Sequence, residues 1–127
     1  MLEIHERHDT NGYTAIVSQI TSGTVHIVES LDKGAVNGYG VYTVDLLGEA
    51  QEIVIYDYSG EEWDIIDGVI RTILFKGMLG GINKCDFRIS DNDKMAKLTK
   101  LGFITADRLS IDDINDFMSG CKSCGKK

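Results

Sequence analysis

The chain has 127 residues, of which 43% are hydrophobic, and twenty acidic against thirteen basic residues give it a formal charge of −7. This length and apolar content fit one folded domain with one conventional core, and they argue against disorder over most of the chain. The negative charge disfavours general binding to nucleic acid or to anionic membranes, and no apolar run approaches the ~20 residues that span a bilayer.

The N-terminal segment and the cysteines predict a cytoplasmic protein. The mostly polar segment Glu3–Arg7 stands where a secretory signal would need an apolar stretch. The three cysteines, Cys85, Cys121 and Cys124, are too few and too unevenly placed for a secreted disulfide framework. We therefore expect a reducing compartment.

The first half of the chain has the pattern of an antiparallel meander, with strands separated by glycine-containing turns. The predicted strands are Leu2–His8, Tyr13–Ile20, Thr24–Leu31, Gly40–Leu46 and Glu52–Tyr58. The predicted tight turns are Asn11-Gly12, Asn37-Gly38 and, with a weaker signal, Ser22-Gly23, since these dipeptides tolerate positive φ. The apolar run Ile53–Ile55 indicates a central strand covered on both faces, so a layer of helices is required.

The first predicted helix follows this strand at once. Ser59-Gly60-Glu61-Glu62 matches a capping box, and apolar residues, Ile70 and Ile73 among them, then recur at helical spacing from Trp63. Gly80-Gly81 should end the helix. We expect Ile70 and Ile73 to be buried and Trp63 to anchor the core.

A short strand and further helices complete the predicted domain. Cys85, Phe87 and Ile89 alternate with charged residues as a strand, which should pair in parallel with Glu52–Tyr58 after the helical crossover. The second helix should run from the capping pair Ser90 and Asp93 to Gly102, and a third from Ser110 and Asp113 to Gly120. The prediction is one α/β (α+β) domain over residues 1–120, with a mixed, mainly antiparallel sheet and two to three helices. Residues 121–127 should form a flexible tail.

The order of strand, helix, strand and helix, followed by Lys100-Leu101-Gly102-Phe103, resembles the second half of a GNAT (GCN5-related N-acetyltransferase) domain. The last helix of that family commonly closes on a Lys-Leu-Gly-Phe signature. The resemblance covers about Ala50–Phe103, less than half of the chain. It implies a GNAT-like fold, acetyl-CoA as the cofactor and N-acetyl transfer as the activity.

The positions that would hold coenzyme A depart from the family's pattern. In a functional GNAT a basic, glycine-rich loop arranges backbone N–H groups at a helix N-terminus around the pyrophosphate. The positional equivalents here are Ile55, Glu61, Glu62, Trp63, Asp64, Ile65 and Ile66. Three of them are carboxylates, which favour the positive end of the helix dipole themselves and would repel a second anion. Acetyl-CoA is therefore disfavoured, although it is not excluded.

The catalytic acid implied by the resemblance is also missing. Many GNATs have a tyrosine three residues before the Leu of Leu-Gly-Phe, and Leu98 stands there in this chain. If the chain is an enzyme, the backbone of Ile53–Tyr58 would polarise the thioester. Glu52, Tyr56 and Tyr58 are weak candidates for proton transfer, and ordinary sheet packing is the alternative for each.

A second candidate site is Cys121-Lys122-Ser123-Cys124. One CxxC provides only two of the four ligands of a structural zinc, so Cys85, a histidine or a second chain would have to complete the site. A metal shared between two chains would make a homodimer. The neighbouring lysines would instead favour redox reactivity by lowering the thiol pKa. A passive tail is the third interpretation.

Three functions remain open from the sequence. The leading hypothesis is a divergent GNAT-like protein with little or no acetyl-CoA turnover that acts as a binding or regulatory module. The second is an active N-acetyltransferase with an altered pyrophosphate loop, and the third is a small acidic protein that binds metal or a partner through its CxxC tail. A V-shaped opening between Glu52–Tyr58 and Cys85–Ser90 would favour the first two, and a closed sheet the third. The sequence identifies neither a small-molecule partner nor a protein partner.

Overall fold

The computed structural model describes residues 2–7, 9, 11–21, 23–47 and 50–124, with the side chains of residues 2, 3, 46, 47 and 120–124 left out. This part of the chain forms six strands and four helices. In chain order they are β1 Leu2–Arg7, α1 Thr14–Val17, β2 Thr24–Asp32, β3 Ala35–Leu47, β4 Ala50–Gly60, α2 Trp63–Leu79, β5 Cys85–Phe87, α3 Asn92–Leu101, β6 Ser110–Ile111 and α4 Ile114–Cys124. None of the helices in these ranges is long and apolar enough to cross a membrane.

The strands form one sheet in which they lie side by side in chain order from β1 to β6. All neighbours are antiparallel except β4 and β5, which pair in parallel with Ile53 opposite Cys85. The parallel pair is joined by α2, because a parallel connection needs a crossover. The prediction of a mixed, mainly antiparallel sheet is confirmed, although the helices number four.

The predicted strand Tyr13–Ile20 is wrong, since this segment contains the short helix α1. β1 pairs directly with β2, so the sheet has no position for an intervening strand. Tyr13 packs its ring edge-on against Tyr39, with 4.9 Å between centroids, and donates a hydrogen bond to the buried carboxylate of Glu29. These tertiary contacts hold the segment over one face of the sheet.

The turn predicted at Asn37-Gly38 is also misplaced, because both residues lie inside β3. The hairpin turns at Lys33 and Gly34 instead, where φ is 55° and 84°. Two successive positive φ angles are typical of a type I′ turn, which matches the twist of the flanking strands. Gly38 is needed for another reason, since a Cβ there would lie only 2.6 Å from Cγ2 of Ile65 in α2.

Helix α2 lies across one face of the sheet and forms the centre of the core. Its buried residues are Ile65, Ile66, Val69, Ile70, Ile73, Leu74 and Gly77. The predicted burial of Ile70 and Ile73 is confirmed, and the helix ends at Gly80-Gly81 as predicted. Trp63 is not a core anchor, because 48% of its surface is exposed.

The start of α2 differs from the predicted capping box. Ser59 and Gly60 are the last two residues of β4, where they pair with Tyr39 and Gly38. The N-cap position is occupied by Glu62, and no side chain caps the helix. Pairing with β3 therefore outweighs the local capping signal.

The later helices also begin at residues other than those predicted. Asp91 rather than Ser90 caps α3, accepting hydrogen bonds from the backbone N–H groups of Asp93 at 2.8 Å and Lys94 at 3.1 Å. Gly102 ends α3 at φ 92°, as predicted. Ser110 belongs to β6, and α4 starts at Ile114 and continues to Cys124, four residues beyond the predicted end.

Candidate functional site

The candidate site lies where β4 extends past its partner β5. The two strands pair over only three residues, and the last cross-connection is the N–H of Arg88 donating to the carbonyl of Ile55 at 2.8 Å. Beyond that point Tyr56–Gly60 has a strand neighbour on the β3 side alone. We call the space along this free edge the notch.

The first turn of α3 lies across the notch. The Tyr58 hydroxyl donates a hydrogen bond of 2.6 Å to the backbone carbonyl of Lys94. The Lys94 ammonium lies 2.7 Å from one carboxylate oxygen of Asp57 and 5.8 Å from the centroid of the Tyr58 ring. Lys94 therefore contacts the end of β4 through its main chain and its side chain.

Asp57 is held from the opposite side by Tyr39, whose hydroxyl donates to the second carboxylate oxygen at 2.9 Å. Burial, followed by this hydrogen bond, raises the pKa of Tyr39 to about 12. Burial, followed by the charges of Asp91 and Asp57, also raises the pKa of Tyr58. Both phenols are therefore neutral near pH 7 and act here as hydrogen-bond donors.

The three candidates for proton transfer are not brought together. Tyr58 is 1% exposed and belongs to the core beneath α2, and its hydroxyl already donates to the Lys94 carbonyl. Glu52 is opposite Asp45 and, by strand alternation from the core residue Ile53, faces the other side of the sheet. Tyr56 lies at the bulge of β4 and interacts with Arg88. No shared reaction centre results.

The N-terminus of α2 borders a second part of the site. A cavity of about 80 Å³ is lined by Gly60, Glu61, Glu62, Trp63, Ile66 and Lys97. The N–H groups of Ile65 and Ile66 both bond to the carbonyl of Glu62 at 3.1 Å, whereas those of Glu62, Trp63 and Asp64 have no protein acceptor within the described ranges. An adjoining cavity of about 270 Å³ is lined by Trp63, Asp93, Ala96, Lys97 and Lys100.

The predicted cofactor positions are thus only partly suited to a pyrophosphate. Free N–H groups at a helix N-terminus attract anions. The side chains of Glu61, Glu62 and Asp64 are all exposed beside these groups, and their negative charge opposes an anion. Ile55, Ile65 and Ile66 turn their side chains into the core, so only their backbone is available.

Sequence reasoning missed the lysines of α3. Lys94, Lys97 and Lys100 recur every three residues and so lie along one side of the helix. Lys97 and Lys100 line the cavities beside α2, and Lys94 reaches Asp57. The three-residue spacing was the signal that was available.

The predicted zinc site is not tested by the structure. Among the residues that the structure describes, no group of three His, Cys, Asp or Glu side chains is placed to hold a metal ion. Cys85 is fully buried, and its burial raises the pKa of its thiol, so it would have to leave the core to serve as a ligand. The side chains of Cys121 and Cys124 lie outside the described residues, and the zinc hypothesis remains a prediction.

Solved acetyltransferases share this architecture. A ribosomal-protein-alanine N-acetyltransferase from Brucella melitensis biovar Abortus 2308 aligns over 84% of this chain and 93% of its own, at 11% identity and a TM-score of 0.63. An acetyltransferase from Trypanosoma brucei aligns over 85% and 96%, at 13% identity and a TM-score of 0.60. A sisomicin-bound aminoglycoside acetyltransferase from an uncultured soil metagenomic sample aligns over 79% and 84%, at 12% identity and a TM-score of 0.60.

No protein-family profile and no curated protein matches the sequence. The structural matches nevertheless agree with one another across bacterial and eukaryotic sources. The chain has the fold of the GNAT acetyltransferases. At 11% to 13% identity the likeness concerns the fold alone.

Proposed function

We propose that this chain is a divergent GNAT-fold protein with little or no acetyl-CoA turnover, which acts as a binding or regulatory module. The observation that carries the proposal is that Lys94 occupies the notch. Its side chain forms an ion pair with Asp57, and its backbone carbonyl accepts a hydrogen bond from Tyr58. The separation of Glu52, Tyr56 and Tyr58 supports it further, since general acid–base catalysis needs groups within reach of one reacting atom.

The acidic start of α2 gives the proposal a second basis. Two like charges about 6 Å apart repel by about 2 to 3 kcal/mol at an effective dielectric constant of about 20, and solvent and salt reduce this at exposed side chains. Lys97 offsets part of the repulsion, because it lines the same cavity as Glu61 and Glu62. We therefore expect the affinity for coenzyme A to be more than about tenfold lower than it would be with a loop that lacks the carboxylates.

Calorimetry with coenzyme A tests this proposal. Replacing Glu61→Arg and Glu62→Gly should raise the affinity, with the larger gain at low salt because surface charges are screened over about 10 Å at 0.1 M salt. Asp107→Arg is a matched control for Glu61→Arg, since Asp107 is exposed and lines neither cavity at α2. Micromolar binding by the unmodified protein that is insensitive to ionic strength would contradict the proposal.

Such a result would make an active N-acetyltransferase the leading hypothesis for the function. The observation that favours this second function is the set of unbonded N–H groups at the N-terminus of α2, next to a cavity. Native mass spectrometry of the purified protein would discriminate the remaining functions, because it reports retained coenzyme A, bound zinc and a homodimer in one measurement. Zinc without coenzyme A would favour the interaction protein that binds through its CxxC tail.

A further inference from the structure

Helix α3 buries few of its side chains. Leu98, in its second half, is its one fully buried side chain among the described residues. In the first turn Met95 is only partly buried against the core, and the Asp91 cap is internal to the turn. The polar contacts that join this turn to β4 are those that Lys94 makes.

Those contacts cover a backbone edge that would otherwise be open. Tyr56–Gly60 is unpaired on the β5 side, and unpaired strand edges accept extended chains that carry amide groups. Lys94 lies at this edge, where its ammonium pairs with the Asp57 carboxylate and its backbone carbonyl accepts a hydrogen bond from the Tyr58 hydroxyl. An extended ligand and the first turn of α3 compete for the same space.

We propose that Lys94 is an internal latch, which holds the first turn of α3 across the notch and blocks extended, amide-bearing ligands until its contacts with Asp57 and Tyr58 break. The inference rests on the proposed function in that the notch is taken as the ligand site. It adds a regulatory element, because the notch alternates between a latched and an open state. A ligand that binds the open state alone shifts that equilibrium.

The contacts that form the latch are weak enough to break without unfolding the protein. The Lys94 and Asp57 side chains are 27% and 19% exposed, so the ion pair is shielded only in part from water. Partly exposed pairs contribute little to stability, and the Tyr58 hydrogen bond adds a contribution of similar size. The first turn can therefore separate from β4 without unfolding the core, as local opening reactions do.

Hydrogen exchange of the free protein tests the latch without any ligand. Lys94→Met removes the ammonium and keeps the length of the side chain, and Tyr58→Phe removes the hydroxyl alone. Each variant should speed amide exchange in the first turn of α3 and in Tyr56–Gly60 by about fivefold. Lys84→Met is the matched control, with the same charge change at an exposed lysine that lines neither cavity beside α2.

Coenzyme A affinity, measured on the same proteins, is the second readout. The two latch variants should bind coenzyme A about fivefold more tightly than the Lys84→Met control. The latch proposal would be overturned if amide exchange in Lys94→Met equals that of the control. It would also be overturned if exchange is faster but the affinity for coenzyme A does not rise. If the latch variants gain affinity but Glu61→Arg with Glu62→Gly does not, the acidic-loop account fails and the latch stands. The reverse pattern rejects the latch and leaves the acidic-loop account intact.

Discussion

Gly40 of β3 provides a test of how α2 is seated on the sheet. A Cβ at this position would lie 2.7 Å from Cδ1 of Ile73 and 2.9 Å from Cγ1 of Val69, and both of these side chains are fully buried. The helix approaches the strand this closely because Gly40 has no side chain. We therefore predict that Gly40→Ala destabilises the protein.

Two opposing effects set the size of the loss. Replacing glycine by alanine within a regular element gains about 0.5 to 1 kcal/mol, because the unfolded chain loses conformational freedom. Overpacking a closely packed core costs about 1 to 3 kcal/mol. Since two branched side chains must move at once, we expect the cost to win, with a net loss of about 1 to 2 kcal/mol in urea unfolding.

Ile73→Val identifies the contact responsible. This change removes the Cδ1 atom nearest to the added methyl group and costs about 0.5 to 1.5 kcal/mol by itself. The double variant should lose less than the sum of the single losses, by at least about 0.5 kcal/mol. Gly68→Ala is the matched control, since its Cβ would meet one atom, Cδ1 of Ile4 at 3.3 Å, and should be neutral or stabilising. Additive losses at positions 40 and 73 would refute the packing account.

Four further outcomes follow from the described contacts. Asp91→Ala should cost about 1 kcal/mol in urea unfolding, and Asp91→Asn much less, because the side-chain oxygen caps α3. Ile73→Ala should cost about 2 to 5 kcal/mol, and a loss below about 0.5 kcal/mol would mean that the core face of α2 is misassigned. Burial and Asp57 raise the pKa of Tyr39 to about 12, so its contribution to stability is complete below its usual pKa of about 10 and is lost as the pH rises to about 12. Tyr39→Phe should reduce that alkaline loss in pH-dependent melts, and an unchanged profile would contradict the assignment. Deleting residues 121–127 should leave the melting temperature nearly unchanged, whereas a large drop reproduced by a chelator would establish a structural metal site.

Up to Gly102 the helix and strand order of the second half was predictable because its local and tertiary signals agree, whereas β6, at Ser110–Ile111, was not predicted. The helical spacing of Ile70 and Ile73 gives the buried face of α2, and the helical crossover gives the parallel pairing of β5. Gly102 has the positive φ that a helix end requires. At each of these positions one residue type satisfies the local geometry and the packing together.

The first half was harder to predict, because tertiary packing overrides its local signals. Tyr13–Ile20 has the apolar residues of a strand, but the direct pairing of β1 with β2 excludes it from the sheet. Asn37-Gly38 has the composition of a turn, yet Gly38 serves the close approach of Ile65. A glycine that permits positive φ and one that permits close packing look identical in a sequence.

The resemblance to the GNAT family put the candidate cofactor positions at the end of β4 and the start of α2, and the notch and a cavity lie beside them. The contacts made there could not be predicted. The pairing of Asp57 with Lys94 joins residues 37 positions apart, and no local pattern indicates it. Long-range ion pairs of this kind depend on the fold, and the fold had to be known first.

The start of α2 shows why the acidic residues act as free charges rather than as helix caps. Ser59 and Gly60 stay in β4, so the helix begins without the predicted capping box, and neither Glu61 nor Glu62 caps it with its side chain. Gly60 permits this direct transition, because a Cβ there would lie 2.6 Å from Cγ1 of Ile66. Replacing Glu61 and Glu62 therefore removes no capping bond and should cost only the interaction of their charges with the helix dipole, about 0.3 to 1 kcal/mol each. Any change in coenzyme A affinity in those variants then reports on charge at the site, which unfolding curves of the same proteins would verify.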